Sequence, residues 1–481
     1  MHPRNYSWIV ATTATDQPLL IGGERVETGD WLDVRSPYSG ELVGRIAKGG
    51  AAETRRALDA AEAAMREPLP AHERARILDA TAKLLDERGD EVAELISAEA
   101  GKPLKAARVE AQRAVSTFTF AAVEARKLAG EVVPMDASAA GEGKLALTLR
   151  LPIGIIGAIS PFNFPLNLVA HKIAPALAAG CAVVLKPAAT TPFSAYFLAH
   201  LEEEAGLPAG WINVVTGSAS AIGDVLVSDE RVKLITFTGS GAVGWGLAER
   251  AHRKRVKLEL GNATPAIVCA DAPPDTAAKL AANAFSFAGQ SCISVQRIFV
   301  AQEVWDDFVA EFVPKVEALV VGDPGDPATD VGPVISGGDR DRILEWVRES
   351  QGTVLTGGAT TADGLLRPTV IANPAPLDKV QCEEVFGPVV TLTPTASLDE
   401  AIEQANATRY GLQAAIFSRD VKTCLDACRR LEFGGVTVNE APTFRADQMP
   451  YGGVKASGNT KEGPAWTVRE MTEERLVVLQ L

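Results

Sequence analysis

The residue best suited to covalent chemistry in this chain is Cys292. It follows the turn-like pair Gly289-Gln290 and precedes a predicted strand at 295–300. A cysteine thiolate adds readily to a carbonyl carbon, and the addition gives a tetrahedral adduct on sulfur. The alternative is a buried and inert cysteine, which is the commoner state of a free thiol.

Glu259 is the candidate for acid–base chemistry. It lies between Leu258 and Leu260 at the end of a predicted strand, and these apolar neighbours indicate partial burial. Burial disfavours a charged carboxylate, so it raises the pKa towards the range that suits a general base. The alternative is a solvated glutamate at a strand end.

A glycine motif lies between a predicted strand and a predicted helix. Residues 239–244 match G-x-G-x-x-G, which is a weak signal by itself. The motif follows the fourth strand of its series rather than the first, and the next acidic residue of interest, Glu259, comes too soon to bind a ribose. A helix N-terminus with glycines still offers free N–H groups to a phosphate. We therefore expect phosphate contact without the usual dinucleotide fingerprint.

The bulk composition excludes several classes of protein. The chain has 481 residues, 47% hydrophobic and 22% charged, which predicts a globular protein of two or three domains. A net charge of −14 opposes nucleic-acid binding. No apolar run is long enough to span a membrane, and residues 1–20 lack the apolar core of a secretory signal. The six cysteines and five histidines have no metal-ligand spacing. We expect a cytoplasmic protein with free thiols and no metal.

Strand-like and helical runs alternate from residue 151 onward. Strands are predicted at 153–159, 181–185, 212–215 and 233–237, and helices at 167–179, 191–205, 219–227 and 241–252. This alternation is typical of a parallel, doubly wound sheet, which binds ligands at the carboxyl ends of its strands. Further helices are predicted at 53–66, 72–98, 106–129 and 304–319, the last within a second α/β stretch that begins near residue 260. The segments 131–149 and 474–481 are predicted strands outside both units, and the apolar end 476–479 favours pairing with another chain or, equally, with an internal sheet edge.

Short strings typical of one family follow one another along nearly the whole chain. They are PFNFP at 161–165, LKPA at 185–188, FTGS at 237–240, LELG at 258–261, GQSC at 289–292, EVFGP at 384–388 and PYGG at 450–453. In order and composition they resemble the aldehyde dehydrogenase superfamily, in its non-acylating, NAD(P)-dependent branch, and most of all the enzymes for lactaldehyde and other small polar aldehydes. The resemblance implies an α/β fold with two doubly wound parallel-sheet domains and a small β oligomerisation arm. We place the dinucleotide-binding domain at 1–129 and 150–258, the catalytic domain at 259–455 and the oligomerisation strands of a homodimer or homotetramer at 130–149 and 466–481.

The resemblance also implies the catalytic roles. Cys292 is the nucleophile, and the Asn163 amide and the Cys292 backbone N–H donate to the oxyanion of the adduct, where losing one donor typically costs about 100- to 1,000-fold in rate. Hydride leaves for the nicotinamide, and Glu259 then activates the water that hydrolyses the thioester. Lys172 is a candidate for a proton relay, although a helix-surface lysine is the more common interpretation. For Asn163, between two prolines, the alternative is a simple turn residue.

Cofactor contacts are implied in the same way. Lys186 resembles the lysine that holds the adenosine ribose, Ser240 a pyrophosphate contact and Glu384 the carboxylate on the nicotinamide ribose; the remaining cofactor residues are Ser160, Phe162, Gly239 and Phe386. Ala189 stands where NAD-preferring relatives often carry a glutamate on the ribose diol. Without that carboxylate a 2′-phosphate meets no repulsion, so NADP is slightly favoured over NAD. Asn262 and Asn459 replace glycines common in the family, and asparagine tolerates positive φ better than most residues.

The substrate is expected to be a small aldehyde. By the same resemblance, the residues that face it are Arg113, Leu168, His171, Ser291 and Arg445. One histidine and two arginines favour a carboxylate, phosphate or phosphonate tail. Some phosphate- and phosphonate-selective relatives have arginine in place of Ser291, which weakens those two candidates. The alternatives are a helix-surface charge for Arg113 and a packing role for His171.

Three other functions compete with an aldehyde-oxidising enzyme that uses water. An acylating enzyme would pass the acyl group to coenzyme A, and such relatives generally lack the residue equivalent to Glu259. A non-catalytic dinucleotide-binding protein would be expected to lose Cys292. A cysteine–histidine hydrolase would need a partner motif that none of the histidines provides.

Overall fold

The computed structural model describes residues 15–481. Residues 1–14 lie outside the described residues, and with them the start of the predicted dinucleotide-binding domain and most of the segment assessed for a secretory signal. The described strands are β1 (Thr15–Gln17), β2 (Leu19–Ile21), β3 (Glu24–Val26), β4 (Trp31–Arg35), β5 (Leu42–Ala47), β6 (Val132–Val133), β7 (Lys144–Pro152), β8 (Ile155–Ile159), β9 (Val183–Lys186), β10 (Ile212–Val214), β11 (Val232–Thr238), β12 (Arg255–Glu259), β13 (Thr264–Val268), β14 (Val295–Ala301), β15 (Thr353–Thr356), β16 (Thr369–Ala372), β17 (Val389–Thr395), β18 (Gln413–Phe417), β19 (Gly435–Val438) and β20 (Thr472–Gln480).

The described α-helices surround these strands. They are α1 (Ala51–Met65), α2 (Ala71–Glu87), α3 (Gly89–Ala100), α4 (Leu104–Lys127), α5 (Asn167–Ala179), α6 (Phe193–Glu204), α7 (Ala219–Ser228), α8 (Gly241–Arg250), α9 (Thr276–Ala284), α10 (Trp305–Glu317), α11 (Gly337–Glu349), α12 (Lys379–Cys382), α13 (Leu398–Asn406), α14 (Val421–Arg430) and α15 (Pro464–Glu470). None of the helices in residues 15–481 is long and apolar enough to cross a membrane.

The first large sheet has the strand order β12-β11-β8-β9-β10-β2-β3. Strands β8 to β12 are parallel, and β2 and β3 add antiparallel edge strands. Every residue of β8 and β9 is buried, as expected for strands covered on both faces. Helix α5 lies in this core and is buried along its entire length. The carboxyl ends of β8, β9, β11 and β12 therefore point the residues after them at one edge of the sheet.

The second large sheet has the order β15-β16-β17-β14-β13-β18-β19, with only β15 antiparallel. The chain passes from the first sheet to the second in the short connection between Glu259 and Thr264. The predicted α/β class with two largely parallel sheets is confirmed. The predicted domain boundaries follow the same division and stay a prediction.

One predicted helix is divided in the structure. The helix predicted at 72–98 is divided into α2 and α3 at Arg88, whose φ of −113° and ψ of 23° are not helical. Glycine follows at position 89, and the Arg88 side chain turns to pair with Glu91 at 2.7 Å. By contrast, α5 occupies the predicted range 167–179 without any shift.

The C-terminal strand pairs inside its own chain. Strand β20 runs antiparallel to β7 over its whole length, and β7 also pairs with β6. Of the two alternatives for the apolar end at 476–479, the internal sheet is the one the structure contains.

Candidate active site

A cavity of about 310 Å³ lies beside the connection between the two sheets. Its walls include five residues that the sequence assigned to chemistry or substrate: Arg113, Leu168, Ser291, Cys292 and Arg445. Tyr451, to which no role was assigned, also lines it. Asn163, His171, Lys172 and Glu259 are not among the lining residues and lie behind this surface, buried to at least 97%.

A strained turn presents Cys292 to the cavity. Phe287 and Ala288 have φ of 50° and 52°, a left-handed conformation that non-glycine residues rarely adopt and that tends to occur at functional sites. Gly289 follows with φ of 69°, and a Cβ there would lie 2.1 Å from the Gly387 carbonyl oxygen. Only glycine therefore fits this position, and β14 begins shortly afterwards.

The Cys292 thiol is held in its neutral form in this state of the protein. Burial raises the pKa of Cys292 to about 12, and the carboxyl groups of Glu259 and Glu384 act in the same direction. Arg445 and a hydrogen bond with Tyr451 act against this rise. The Cys292 Sγ and Tyr451 Oη atoms are 2.9 Å apart.

Asn163 contacts the segment that carries the cysteine. Its Nδ2 donates to the Gln290 carbonyl oxygen at 3.0 Å. A primary amide has a second N–H, for which the described residues provide no acceptor. Asn163 is thus tied to the Cys292 turn and still has one donor to offer.

Glu259 is buried, and neither of its carboxyl oxygens has a well-formed hydrogen bond within the described residues. Burial raises the pKa of Glu259 well above its usual value, and the nearby Glu462 carboxylate raises it further. Arg445, Lys172 and the Gly453 backbone amide oppose the rise without cancelling it. The predicted partial burial is therefore complete burial, and the solvated alternative is wrong.

Glu462 is a neighbouring carboxyl group whose pKa shifts in the opposite direction to that of Glu259. Burial alone would raise the pKa of Glu462, but Lys172, Arg445 and His171 outweigh burial and bring it below the usual range. Glu462 lies 3.4 Å from the Lys172 ammonium and 3.0 Å from the Arg445 guanidinium. Two carboxyl groups whose environments push their pKa values apart form a pair with one proton acceptor and one fixed charge.

Lys172 is not on a helix surface. It is 1% exposed because α5 is buried on every face, and its Nζ donates to Thr238 Oγ1 at 2.7 Å and to Thr236 Oγ1 at 3.2 Å. The more common interpretation of this lysine is therefore wrong. Its position beside Glu462 leaves a relay role open.

His171 is not among the residues that line the cavity, and its predicted contact with substrate stays a prediction. Its Nε2 lies 2.9 Å from Asp447 Oδ1, and Asn167 Nδ2 and Arg113 Nη2 donate to the same oxygen at 3.0 Å and 2.9 Å. Leu168, one turn earlier on α5, is the residue that reaches the cavity. The burial of His171 and its bond to Asp447 favour the packing alternative, whereas Arg113 is no simple surface charge, since it pairs with Asp447 and lines the cavity.

Helix α5 is held at its start by a buried ion pair. Glu110 accepts from the backbone N–H groups of Leu166 and Asn167 at 2.9 Å and 3.1 Å, and its other oxygen pairs with Lys102. The Lys102 ammonium also lies 3.7 Å from the centre of the Phe164 ring. A carboxylate at a helix N-terminus is favourable, so this pair fixes the backbone just after Asn163.

A second group of predicted residues gathers at the carboxyl edge of the first sheet. Ser160 Oγ is buried without a partner, and Lys186 Nζ is bonded only to the Pro187 carbonyl oxygen, at 3.2 Å, among the described residues. Burial raises the pKa of Glu384 to about 7, although the Asn262 backbone N–H donates to it at 2.9 Å. These polar groups have bonding capacity that the protein itself does not use.

Other predicted cofactor residues lie in the same region. Phe162 and Phe386 pack edge to face with ring centres 5.8 Å apart. Gly239 follows β11, and Ser240 precedes α8 without a side-chain capping bond. Ala189 is partly exposed.

Asn262 and Asn459 have structural roles that do not depend on positive φ, since neither has one. Asn262 donates to Thr264 Oγ1 at 2.7 Å and to the Gln413 carbonyl oxygen at 3.1 Å. Asn459 pairs with the edge of β12, accepting from Leu258 N at 2.9 Å. Both asparagines therefore bond to backbone or side chains that glycine could not reach.

Several residues of the site were missed from the sequence. Asp447, Glu462, Lys102 and Glu110 bear charges that are ordinary on a surface, and only their burial makes them notable. Tyr451 stands inside the PYGG string, which was the one signal available for it.

Comparison with known proteins supports the family. A sequence profile described as the aldehyde dehydrogenase family matches residues 25–477. The 3-sulfolactaldehyde dehydrogenase of Priestia aryabhattai is 41% identical over 466 residues, which are 96% of this chain and 98% of that protein. The lactaldehyde dehydrogenase of Methanocaldococcus jannaschii is 39% identical over 472 residues, 96% of this chain and 100% of that protein.

A solved structure agrees with these relatives. The crystal structure of NADP-dependent glyceraldehyde-3-phosphate dehydrogenase from Bacillus halodurans C-125, complexed with NADP, matches with a TM-score of 0.94 and 38% identity over 97% of this chain and 99% of that one. The chain belongs to the aldehyde dehydrogenase family. It is an oxidoreductase that acts on aldehydes, and the resemblance of its sequence strings is confirmed.

The raised pKa of Glu259 predicts a pH-dependent effect of Glu259→Gln on stability. A folded-state pKa above the unfolded value stabilises the protein only at low pH, and this stability falls by about 1.4 kcal/mol for each pH unit between the two values. Glutamine does not ionise, so the variant should gain melting temperature over the parent as pH rises from about 5 to about 8.5. Thermal unfolding at several pH values measures this gain. The exposed Glu249→Gln serves as control, and a difference that stays constant with pH would contradict burial of an ionisable Glu259.

Proposed function

We propose that this protein oxidises a small, polar or anionic aldehyde to its carboxylate through a covalent intermediate on Cys292, with NAD or NADP as hydride acceptor and water as acyl acceptor. The observation that carries the proposal is the placement of the Cys292 thiol at the cavity wall, near a buried Glu259 whose pKa burial raises. A nucleophile, a donor on Asn163 and a proton acceptor then lie within one site.

The steps follow from the chain's own residues. Cys292 first loses its thiol proton to solvent, and the thiolate sulfur then adds to the aldehyde carbon. The negative charge passes to the aldehyde oxygen, which accepts from Asn163 and the Cys292 backbone N–H. A bound nicotinamide ring supplies the acceptor for the hydride that leaves this carbon, and a thioester to Cys292 remains. Glu259 gives its own proton to solvent and then takes a proton from water as the water attacks the thioester. The carbon–sulfur bond breaks, the sulfur receives that proton from Glu259, and the carboxylic acid leaves as the thiol is restored.

The residues at the carboxyl edge of the first sheet fit a dinucleotide. Ribose hydroxyl groups and phosphates need donors and acceptors that are not already used, and Ser160, Lys186 and Glu384 provide them. The free N-terminus of α8 at Gly239 and Ser240 adds backbone N–H groups suited to a phosphate. Phe162 and Phe386 would pack against the cofactor's apolar surfaces.

Coenzyme A is the second candidate acceptor of the acyl group. Glu259 favours water as the acceptor, because its burial and raised pKa suit a general base that removes a proton from water, and acylating relatives generally lack this glutamate. Product analysis with and without coenzyme A separates the two functions: a free carboxylate in both cases supports hydrolysis.

Two substitutions should interrupt the reaction at different points. Cys292→Ala should abolish turnover and leave cofactor binding intact, because the nucleophile is lost while the cofactor residues are untouched. Glu259→Gln should give a burst of reduced cofactor close to one per active site and then stall at the thioester. Stopped-flow absorbance and mass spectrometry of the Cys292 peptide measure both outcomes. Full steady-state activity in either variant would exclude the proposal.

The substrate class is supported by the arginines of the cavity. Arg113 and Arg445 line it, whereas their counterions Asp447 and Glu462 do not. Arg113 Nη1 has no hydrogen bond within the described residues, so it can donate to a polar or anionic tail, and Arg445 adds positive charge to the cavity wall. The named relatives oxidise sulfolactaldehyde and lactaldehyde, which are small and polar. His171 does not line the cavity, so the proposal rests on the two arginines, and Ser291 supplies no positive charge.

Arg113→Gln should discriminate between substrates. For an anionic aldehyde such as succinic semialdehyde we expect kcat/KM to fall about 10- to 100-fold, the effect of losing a hydrogen bond to a charged group. A neutral aldehyde of similar length should change little. Arg108→Gln, on the outer side of the same helix, is the matched control. Equal losses for both aldehydes would point to damage to the site and not to recognition of charge.

We further propose that NADP is the preferred cofactor, as it is in the relative from Bacillus halodurans. Ala189 offers no carboxylate to repel a 2′-phosphate. Ala189→Glu should therefore lower kcat/KM for NADP by at least about 10-fold and raise that for NAD, since a carboxylate binds a ribose diol and repels a phosphate. Steady-state kinetics with each cofactor measure the ratio, and a ratio that does not move would reject the role of this position.

We also propose a homodimer or homotetramer assembled through the sheet β20-β7-β6. Leu145, Leu149, Leu479 and Val132 are each more than a third exposed, and the strand pairing places them on one face. A second copy of the chain would cover this apolar face. The six free cysteines fit a reducing cytoplasm.

A further inference from the structure

Tyr451 is a polar neighbour of the cysteine with no role in the steps above. Its Oη atom lies 2.9 Å from Cys292 Sγ. Among the described residues, no other side chain forms a hydrogen bond with this sulfur, and the Tyr451 hydroxyl has no other partner. The ring is only 3% exposed, although it lines the cavity.

The ring is held where it is by two further contacts. The backbone of Tyr451 pairs with that of Glu462, with the Tyr451 N–H donating to the Glu462 carbonyl oxygen at 3.0 Å. The Arg445 guanidinium lies 3.8 Å from the ring centre and is itself paired with Glu462. A cation over the ring face draws the tyrosine into place and makes its hydroxyl a stronger donor.

The other charged groups around Cys292 do not supply a hydrogen bond. Glu259, at the end of β12, and Glu384, before β17, disfavour a thiolate by repulsion, and Arg445 favours it. Across the cavity, α4 contributes Arg113, which is paired with Asp447, and Glu110, which is paired with Lys102. Burial raises the pKa of Tyr451 well above its usual value, so the hydroxyl keeps its proton and can act only as a donor towards a thiolate.

We propose that Tyr451 is a further catalytic residue, whose hydroxyl donates a hydrogen bond to the Cys292 sulfur and stabilises the thiolate that attacks the aldehyde. The proposal rests on the proposed role of Cys292 as nucleophile. When the sulfur bonds to the aldehyde carbon, its charge moves to the aldehyde oxygen and the Tyr451 hydroxyl keeps its own proton throughout. A phenylalanine would fill the same space and lack only the donor.

The size of the effect follows from the strength of such bonds. A hydrogen bond to a charged group shifts the thiol pKa by about one to two pH units. A thiolate of higher pKa is also intrinsically more nucleophilic, with a Brønsted coefficient of about 0.4–0.5, which cancels nearly half of the change in rate. Tyr451→Phe should therefore slow the reaction of Cys292 at neutral pH by about 3- to 10-fold.

Alkylation of the full-length protein with iodoacetamide, without cofactor or aldehyde, tests this directly. The rate is followed between about pH 6 and about pH 10 by mass spectrometry of the Cys292 peptide, which separates it from the other cysteines. In Tyr451→Phe the rising limb of the rate should move to higher pH by about half to one unit. If the substitution acted only by giving iodoacetamide easier access, because phenylalanine is smaller than tyrosine, alkylation would be faster than in the parent. A rate equal to or faster than that of the parent therefore overturns the proposal.

Tyr196→Phe is the matched control. Tyr196 is also buried, in the core around the first large sheet, and its hydroxyl forms a hydrogen bond with Thr216 Oγ1 at 3.1 Å. This variant should alkylate like the parent, and equal slowing in both variants would overturn the proposal by showing a general loss of structure.

A second measurement does not depend on Tyr451→Phe folding well. Replacing all tyrosines with a fluorinated tyrosine of lower phenol pKa strengthens the donor, so the rising limb should move to lower pH. An unchanged pH dependence of the alkylation rate would show that this hydrogen bond does not stabilise the thiolate, and would reject the proposal. Failure here is distinct from failure of the proposed function, which Cys292→Ala tests by turnover.

Discussion

One buried carboxylate, Glu462, compensates the positive charges of the two buried cations of the site, Lys172 and Arg445. Burying an ammonium and a guanidinium near each other costs several kcal/mol unless an anion compensates them, and Glu462 lies between Lys172 and Arg445 for this purpose. Its negative charge adds to burial, the larger cause, in raising the pKa of the neighbouring Glu259. Because its backbone pairs with Tyr451, the same residue sets the position of the ring that contacts the Cys292 sulfur.

Helix α5 and the strained turn before β14 bring the parts of the site together. Three residues of α5 contact three different parts of the site. Leu168 lines the cavity, His171 contacts Asp447, and Lys172 pairs with Glu462. A helix can make all three contacts only if it is buried on every side. The ion pair between Lys102 and Glu110 fixes the position of its first residues. The turn at Gly289 then places the cysteine opposite, at a cost in backbone strain that the surrounding packing must offset.

Much of this could be predicted from short stretches of sequence. The range of α5 followed from the alternation of strand-like and helical runs, and the family followed from strings such as GQSC at 289–292. Two residues of α5 lie differently from what the sequence suggested: Lys172, for which a surface position was the more common interpretation, is buried, and His171, expected to face substrate, does not line the cavity. A helix with no exposed face gives no polar stripe by which to orient it, so the sequence alone could not decide which side faced the cavity.

What the sequence by itself determined was the inventory of reactive groups and the elements that carry them, since a helix, a strand or a glycine turn depends on residues near one another along the chain. Only the tertiary structure decided which charges are buried and what each one faces. Lys172 and Glu462 are 290 positions apart, and Cys292 and Tyr451 are 159 apart. No local pattern relates residues at such separations, because their contact exists only once both sheets have formed and water has been excluded between them.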